Sequence, residues 1–310
     1  MNHLSKKSLK RSIAAILIVS FLILTYYFLD PEEILSVIKV LLSDPLWLML
    51  IFSGYFCAFL ARGIAWRLYL RNRARLSTCM YGLFYSLLLN HLLPVKAGDF
   101  ARIGILKMKE PGIPAGEAFG SVVIMRMLDT AMLFAMAVIG LVSLDLPVNS
   151  QAIYWMIGVA IAAILVFFTK FKHSMERQIT MITNAFRGGR GFLIISLTFL
   201  SWILEAVVIY GVISKGTSEF DFVKAVWVNS ITVAGQIFQI TPGGIASYEA
   251  VMVFALGAVG IDVSAAYSAA LVTHGIKYVF TFVFGGVALL AAPVSLDKLY
   301  KWMKERGDGK

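Results

Sequence analysis

Long apolar runs separated by short polar segments fill the chain between Ile13 and Ala291. Six runs have the length of a membrane span: Ile13–Leu29, Leu46–Leu68, Gly116–Val142, Ala152–Thr169, Phe192–Ile213 and Ser264–Ala291. About 20 such residues in a helix cover the roughly 30 Å hydrocarbon core of a bilayer. Two further regions, Leu76–Met108 and Phe222–Val259, are apolar but interrupted. The first breaks at Leu93-Pro94-Val95-Lys96-Ala97-Gly98, the second at Thr241-Pro242-Gly243-Gly244. Proline removes a helical donor and glycine frees the backbone, so each break ends one helix and lets another start.

Composition agrees with this class. Hydrophobic residues make up 59% of the chain and charged residues 15%, with a mean hydropathy of +0.80, more apolar surface than a soluble domain of this length can hide. Cys57 and Cys79 lie in apolar stretches without a CxxC or Cys/His cluster, which reads as free, buried thiols and offers no metal site or disulfide framework. The net charge of +10 does not point to nucleic acid, because the basic residues flank apolar runs as cytoplasmic loops do. Lys6, Lys7, Lys10 and Arg11 before Ile13–Leu29 imitate a signal peptide. That run is longer than the usual apolar core of one, and Asp30-Pro31-Glu32-Glu33 offers no cleavage site, so it reads as a retained span.

Loop charge sets the topology. The segment before the first span carries +4, Asp30–Asp44 carries −3, Arg62, Arg67, Arg71, Arg73 and Arg75 give +5, and Lys170–Arg190 carries +4. The loop around Asp145 is acidic, Lys215–Lys224 sums to zero and the C-terminal tail is +2. With the basic loops inside, both termini are cytoplasmic. The chain is then cytoplasmic near Arg75 and again near Ala115, so Leu76–Met108 enters and leaves on the inner side, and Phe222–Val259 does so on the outer side. A full crossing at Leu76–Leu93 would put Lys170–Arg190 outside. The expected fold is an all-α polytopic membrane protein with six full spans plus two oppositely oriented re-entrant helical hairpins. Irregular backbone at membrane depth needs protein or a wet cavity around it, so the hairpin tips should line the functional site, although their first limbs are long enough to reach near the far side.

A shift of 148 residues brings the two breaks into register: Pro94 meets Pro242, Phe100 meets Tyr248, Gly112-Ile113 meets Gly260-Ile261, Arg126 meets His274 and Asp129 meets Lys277. The two copies have opposite topology, which reads as an inverted repeat, an arrangement transporters use to alternate access around one site. The competing reading is chance similarity between membrane segments that contain Gly and Pro. The chain divides into residues 1–45, an N-terminal span and external loop; 46–143, the first repeat unit with the inner hairpin; 144–191, a linking span and cytoplasmic loop; 192–292, the second unit with the outer hairpin; and 293–310, a cytoplasmic tail.

Charges inside a bilayer cost roughly 2.5–3.5 kcal/mol on insertion scales, so each intramembrane one needs a reason. Arg126 and Asp129 share one helical face, either as a self-neutralising pair or as an arginine free to meet a phosphate. Arg102 follows Asp99 on the second limb of the inner hairpin, and Lys96 sits at its break, where snorkelling competes with binding. Helices starting after the breaks would aim amides inward, and Gly98, Gly243 and Gly244 would let backbone approach a phosphate headgroup. Glu205 and Glu249 either accept protons or pair with Lys277 or an arginine, and His274 shares a face with Lys277, where it serves structure, a proton relay or the headgroup site. Asn90, Asn229, Gln236 and Gln239 would keep the cavity wet. The Arg62–Arg75 cluster reads as an inner-surface anchor, and Leu296–Arg306 as a short interfacial helix. No GxSxG, HExxH or Walker A sequence is present, which leaves no motif for catalysis or for ATP hydrolysis.

These residues resemble the lysylphosphatidylglycerol synthase transmembrane family. The resemblance rests on Leu92-Leu93-Pro94 with Gly98-Asp99-Phe100-Ala101-Arg102, Gly112-Ile113-Pro114, Arg126-Met127-Leu128-Asp129, Thr241-Pro242-Gly243-Gly244-Ile245, Glu249 and Gly260-Ile261, and covers roughly Leu46–Ala291. Asp99 stands where such proteins often carry Glu. In two-part members the membrane region is associated with flipping an aminoacylated phospholipid made by a fused cytosolic synthase domain. The resemblance therefore implies the flippase region standing alone, and a synthase name would mislead.

The expected function is a flippase or transporter in the cell (cytoplasmic) membrane. Its cargo would be an anionic, aminoacylated or polyprenyl-phosphate-linked lipid held by Arg102 and Arg126, with proton coupling through Glu205, Glu249 or His274. The alternatives are an intramembrane enzyme of lipid or lipid-linked-sugar metabolism and an accessory subunit of a lipid-modifying enzyme. Expected partners are the lipid substrate, a separate lipid-modifying enzyme and a second copy of the chain; no cofactor and no metal are expected.

Overall fold

The computed structural model describes residues 29–93, 97–144, 146, 186–217, 219–236 and 241–293, with residues 19, 22–23, 25–27 and 183 in addition. Most of the expected span Ile13–Leu29, the span Ala152–Thr169, most of the loop Lys170–Arg190, the tail Leu296–Arg306, and Pro94, Lys96, Asp145 and Gln239 lie outside the described residues. The described elements are helical: α1 (Pro31–Ser43), α2 (Pro45–Tyr69), α3 (Leu76–Leu92), α4 (Gly98–Lys109), α5 (Ala115–Ser143), α6 (Gly189–Glu205), α7 (Val207–Ile213), α8 (Phe222–Gly235), a 3-10 turn at Pro242–Gly244, α9 (Ser247–Ala258) and α10 (Val263–Ala291). Among the described residues, four helical stretches are long and apolar enough to cross a membrane: α2, α5, α6 with α7, and α10. Their outward faces carry Leu46, Leu50, Phe192, Val279, Phe282 and Leu290, all exposed, as expected where hydrocarbon rather than water is the neighbour.

Helix starts follow local chemistry. Asp30, Asp44, Asp221 and Asp262 each accept a backbone N–H from the first turn of the helix behind them, and Pro31 and Pro45 open α1 and α2. The expected external loop Asp30–Asp44 is therefore helix α1, because Asp30 caps it and Glu32 and Glu33 suit its positive end. Both breaks obey the pre-proline rule: Leu93 (φ −108°, ψ 144°) and Thr241 (φ −107°, ψ 154°) are extended, and at Leu93 this ends the helix. Cys79 is buried as expected; Cys57 is exposed, because it sits on the outward face of α2.

The helices pack in antiparallel pairs. Along α2 and α6–α7, Trp47 donates from Nε1 to the Gly211 carbonyl and Arg62 meets Ser201 and Glu205. Along α3 and α10, the Tyr85 hydroxyl donates to the Ala292 carbonyl while the His91 ring contacts Tyr278. Along α5 and α8, Trp227 donates from Nε1 to the Ala137 carbonyl. A shift of 148 residues lays α5 on α10 end for end and α4 within one residue of α9. The same shift turns the α3–α10 contact into the α8–α5 contact. Aromatic rings of Tyr55, Phe59, Phe84, Phe280 and Phe284 fill the seam between α2, α3 and α10.

Charge separates the two ends of the bundle. Glu33, Asp44, Glu219, Asp221 and Asp262 gather at one end, where Lys215 pairs with Asp44 at 2.8 Å and Ser268 donates to Glu33 at 3.1 Å. That lysine, with the Trp47 amide, holds the Asp44 carboxyl below its usual range. Arg71, Arg73, Arg75, Lys107 and Lys109 mark the opposite end, where Arg73 pairs with Glu117.

Candidate functional site

Both breaks stop at half the length of the long helices. Tyr85 lies at the C-terminal end of α10, so α3 begins beyond that end and reaches only the middle, at His91 beside His274 and Tyr278. The length of this limb thus fits a helix that stops half-way. The turn after α8 arrives at the same level from the other side, with Gly243 packed on Tyr278 and near the His91 carbonyl. Between them lies a cavity of about 150 Å³, lined by groups from α2, α3, α4, α5, α6, α8, α9 and α10.

The first cluster belongs to α4 and α5. Arg126 donates from Nε to both oxygens of Asp99 at 2.9 and 3.1 Å and from Nη2 at 2.8 Å, a fork-like grip on one carboxylate. Asp129 lies 3.8 Å from Arg126 Nη1 and accepts from Trp202 Nε1 at 3.2 Å. Arg102 Nη1 is 3.8 Å from Asp99, and its guanidinium sits 4.5 Å from the centre of the Trp66 ring. Trp66 is itself fixed by donating to Ser121 Oγ at 3.0 Å. Arg126 is 40% exposed and Arg102 only 3%, so Arg126 fronts the cavity and Arg102 backs it.

The second cluster joins the halves. Glu205 at the end of α6 accepts from Arg62 Nη2 of α2 at 2.5 Å and from Lys277 Nζ of α10 at 3.1 Å. Lys277 also reaches Asn229 Oδ1 at 3.3 Å, and the Arg62 guanidinium lies 3.9 Å from the centre of the Trp202 ring. Arg62 is thus a wall of the cavity, not part of an inner-surface anchor. The sequence reading missed it because it precedes Arg67–Arg75 like a loop flank; its place on one helical face with Tyr55, Phe59 and Trp66 was the available signal.

The third cluster closes the second break. Gly243, Gly244 and Ala246 have φ of 64°, 78° and 74°, and the non-glycine Ala246 is strained there. Glu249 Oε2 accepts the Ala246 N–H at 2.7 Å, so the first free amide of α9 is already taken. Oε1 of the same carboxyl lies 2.5 Å from His274 Nδ1, and His274 Nε2 lies 3.2 Å from the Gly243 carbonyl. Tyr248 stacks on His274 with ring centres 4.2 Å apart.

Of the expected site residues, Arg102, Arg126, Asp129, Glu205, Gly243, His274 and Lys277 line the cavity, as do Asn90 and Gln236. Asp99 and Glu249 stand behind it as partners of Arg126 and His274. Gly98 is packed on the Ser86 backbone and donates to Asn90 Oδ1 at 2.9 Å; its bareness serves helix approach. Gly244 is packed on the Gln236 amide. Arg62, Ser86, His91 and Tyr248 join the wall unforeseen. Arg102 Nε, Ser86 Oγ and Tyr248 Oη are buried with no hydrogen-bond partner, each at a cost of about 1–3 kcal/mol unless something fills the cavity. Among the described residues the wall presents four cations, Arg62, Arg102, Arg126 and Lys277, against two carboxylates, Asp129 and Glu205. Among the described residues, no three His, Cys, Asp or Glu side chains could hold a metal ion.

The fold and this buried, charged cavity define an all-helical membrane protein with a polar site between two broken helix pairs. The chain belongs to the family described as the lysylphosphatidylglycerol synthase TM region, which matches residues 12–285. It is 23% identical to UPF0104 membrane protein MJ1595 of Methanocaldococcus jannaschii, over 91% of this chain and 96% of that one. It is also 25% identical to glycosyltransferase AglD of Haloferax volcanii, over 91% of this chain but 54% of the relative, and thus spans about half of that protein. No solved structure matches the chain.

Proposed function

We propose that this protein moves a lipid with a phosphate-bearing, anionic headgroup between the leaflets of the cell membrane, by alternating access at the central cavity. In this reading six spans surround two re-entrant hairpins, α3–α4 from the inner side and α8–α9 from the outer side, related as an inverted repeat. Support comes from the helix directions, since each element and its counterpart 148 residues later run oppositely, and from both breaks ending half-way along α5 and α10. The basic end of the bundle would face the cytoplasm.

The observation that carries the reading is the cavity wall, where four cations and three unpartnered buried polar atoms converge between the breaks. A phosphate would meet the Arg126 guanidinium first and the Arg102 Nε–H and Tyr248 hydroxyl behind it. The test is reconstitution into vesicles with labelled phosphatidylglycerol, aminoacylated phosphatidylglycerol and a polyprenyl-phosphate sugar. Arg126→Ala and Arg102→Ala should abolish movement while the purified variants keep their helical content. Movement at the wild-type rate in both variants would remove the arginines from the site.

A second reading has one specific support, the glycosyltransferase name of the Haloferax relative. In it, the membrane region takes part in sugar transfer to or from a lipid carrier. Incubation of the purified chain with nucleotide sugars and a polyprenyl phosphate separates the two: a glycosylated lipid product supports transfer, and its absence alongside lipid movement supports transport.

A further inference from the structure

The proposal concerns what energises that movement, and it rests on the transport reading above. Among the described residues four carboxylates surround the cavity, and three of them pair with an arginine or a lysine. Asp99 is gripped by Arg126, Asp129 lies between Arg126 and Trp202, and Glu205 is shared by Arg62 and Lys277. Glu249 is the one of the four paired with an imidazole, that of His274. The 148-residue correspondence sharpens the contrast. Arg126 and His274 occupy the same place in α5 and α10, and each reaches the carboxylate in the first turn of the hairpin limb before it. One half carries a fixed positive charge where the other carries an imidazole.

Hydrogen-bond logic then places a proton. The Gly243 carbonyl can only accept, so His274 Nε2 carries a hydrogen. Nδ1, 2.5 Å from Glu249 Oε1, either donates its own proton to a carboxylate or accepts one from a carboxylic acid. Without that proton, a lone pair and an anion would face each other at the same distance with both groups buried. We infer that the Glu249–His274 pair is a binding site for one exchangeable proton, and that its release and uptake accompany the movement of the second break.

The geometry links the proton to the break by two routes. Glu249 holds the strained Ala246 amide with its other oxygen, and His274 holds the Gly243 carbonyl with its other nitrogen. Losing the shared proton drives the two side chains apart and loosens both ends of the turn. Other groups facing the pair are Tyr248 on α9, His91 on α3, Lys277, Tyr278 and Tyr267 on α10, and the Gln236 amide on α8 beside Gly244. Of these, Lys277 is paired with Glu205. His274 lines the cavity, so a headgroup and the proton reach the same wall.

The test uses the full chain in vesicles containing labelled phosphatidylglycerol and a trapped pH-sensitive dye, with an imposed pH gradient. For one coupled proton, a gradient of one pH unit should shift the steady-state leaflet ratio about tenfold. Lipid movement should also acidify or alkalinise the lumen. His274→Arg and Glu249→Gln should each lose the response of the ratio to the gradient. Lipid that moves while the ratio ignores the gradient overturns the proton site and leaves the transport reading standing. If no lipid moves, transport itself fails, and NMR of the 15N-histidine-labelled protein then decides the proton site. A single far-downfield proton bridging His274, absent in Glu249→Gln, supports it; a neutral ring with a bare Nδ1 overturns it.

Discussion

Arg62 of α2 and Lys277 of α10 close on one carboxylate, that of Glu205, at 2.5 and 3.1 Å. Three helices from the two halves of the chain are tied at a single buried point. Removing one partner from such a network strands the rest, which typically costs about 3–5 kcal/mol. Glu205→Ala should therefore lower resistance to unfolding in denaturing detergent by an amount in that range. Glu205→Gln combined with Lys277→Gln should recover only part of the loss, because the Arg62 guanidinium keeps a hydrogen-bond acceptor but loses its counter-charge. If Glu205→Ala unfolds no earlier than the exposed control Glu32→Ala, the network does not hold the halves together.

How much of this was legible in the sequence differs from element to element, for physical reasons. The expected span Gly116–Val142 agrees within one residue at each end with α5, and Ser264–Ala291 with α10, because long apolar runs bounded by Pro114 or Asp262 leave little freedom. The breaks were legible because proline imposes extended backbone on the residue before it. Helix α1 was not, since its charge pattern dominated the reading and hid its cap. The partners of Glu205 stayed open because they come from helices far away in the chain, and no local period encodes such a meeting. Gly98 and Gly243 looked alike as breakers, yet one seats a helix crossing and the other a left-handed turn.

Four glycines should respond to alanine in an order set by their surroundings. At Gly98 the new methyl meets the Ser86 backbone, which cannot step aside, so Gly98→Ala should be the most disruptive. At Gly243 (φ 64°) it meets the Tyr278 hydroxyl and the turn is strained as well. Backbone strain of this kind costs about 1–3 kcal/mol. Tyr278→Phe should restore part of the loss by making room. Gly260 (φ 91°) has open space and should lose only the backbone contribution, and Gly112, with open space and no positive φ, should be neutral. Thermal unfolding of the five variants ranks them, and a Gly112→Ala protein weaker than Gly260→Ala would contradict the order.

Arg102 should not tolerate lysine. Its guanidinium lies against the Trp66 ring at 4.5 Å and keeps a buried, unpartnered Nε–H at the cavity wall, which an ammonium cannot imitate. The loss of one such charge-assisted contact is worth about 1.4 kcal/mol or more, a tenfold fall in lipid movement. Arg73→Lys at the basic end, where the half-exposed Arg73 pairs with Glu117, should leave the rate unchanged. Equal rates for the two variants would mean that Arg102 only fills space.

Accessibility separates a wet cavity from a packed seam, and the choice of position follows from the structure. Cysteine at Gly98 or Gly243 would collide with its neighbours, so Asn90 and Gln236, which line the cavity, are the better probes. The background needs Cys57→Ser, since Cys57 is exposed on α2, whereas Cys79 is buried and can stay. In intact vesicles a charged, impermeant maleimide should modify Asn90→Cys and Gln236→Cys. It should spare Val279→Cys, which lies near the same depth on α10 but on the outward face. Arg187→Cys at the basic end should react only when the reagent is given to the cytoplasmic side. If Val279→Cys reacts as fast as Asn90→Cys, then depth along α10 says nothing about water. The charged wall would in that case line an ordinary surface cleft, where the four cations are screened and have no special hold on a headgroup.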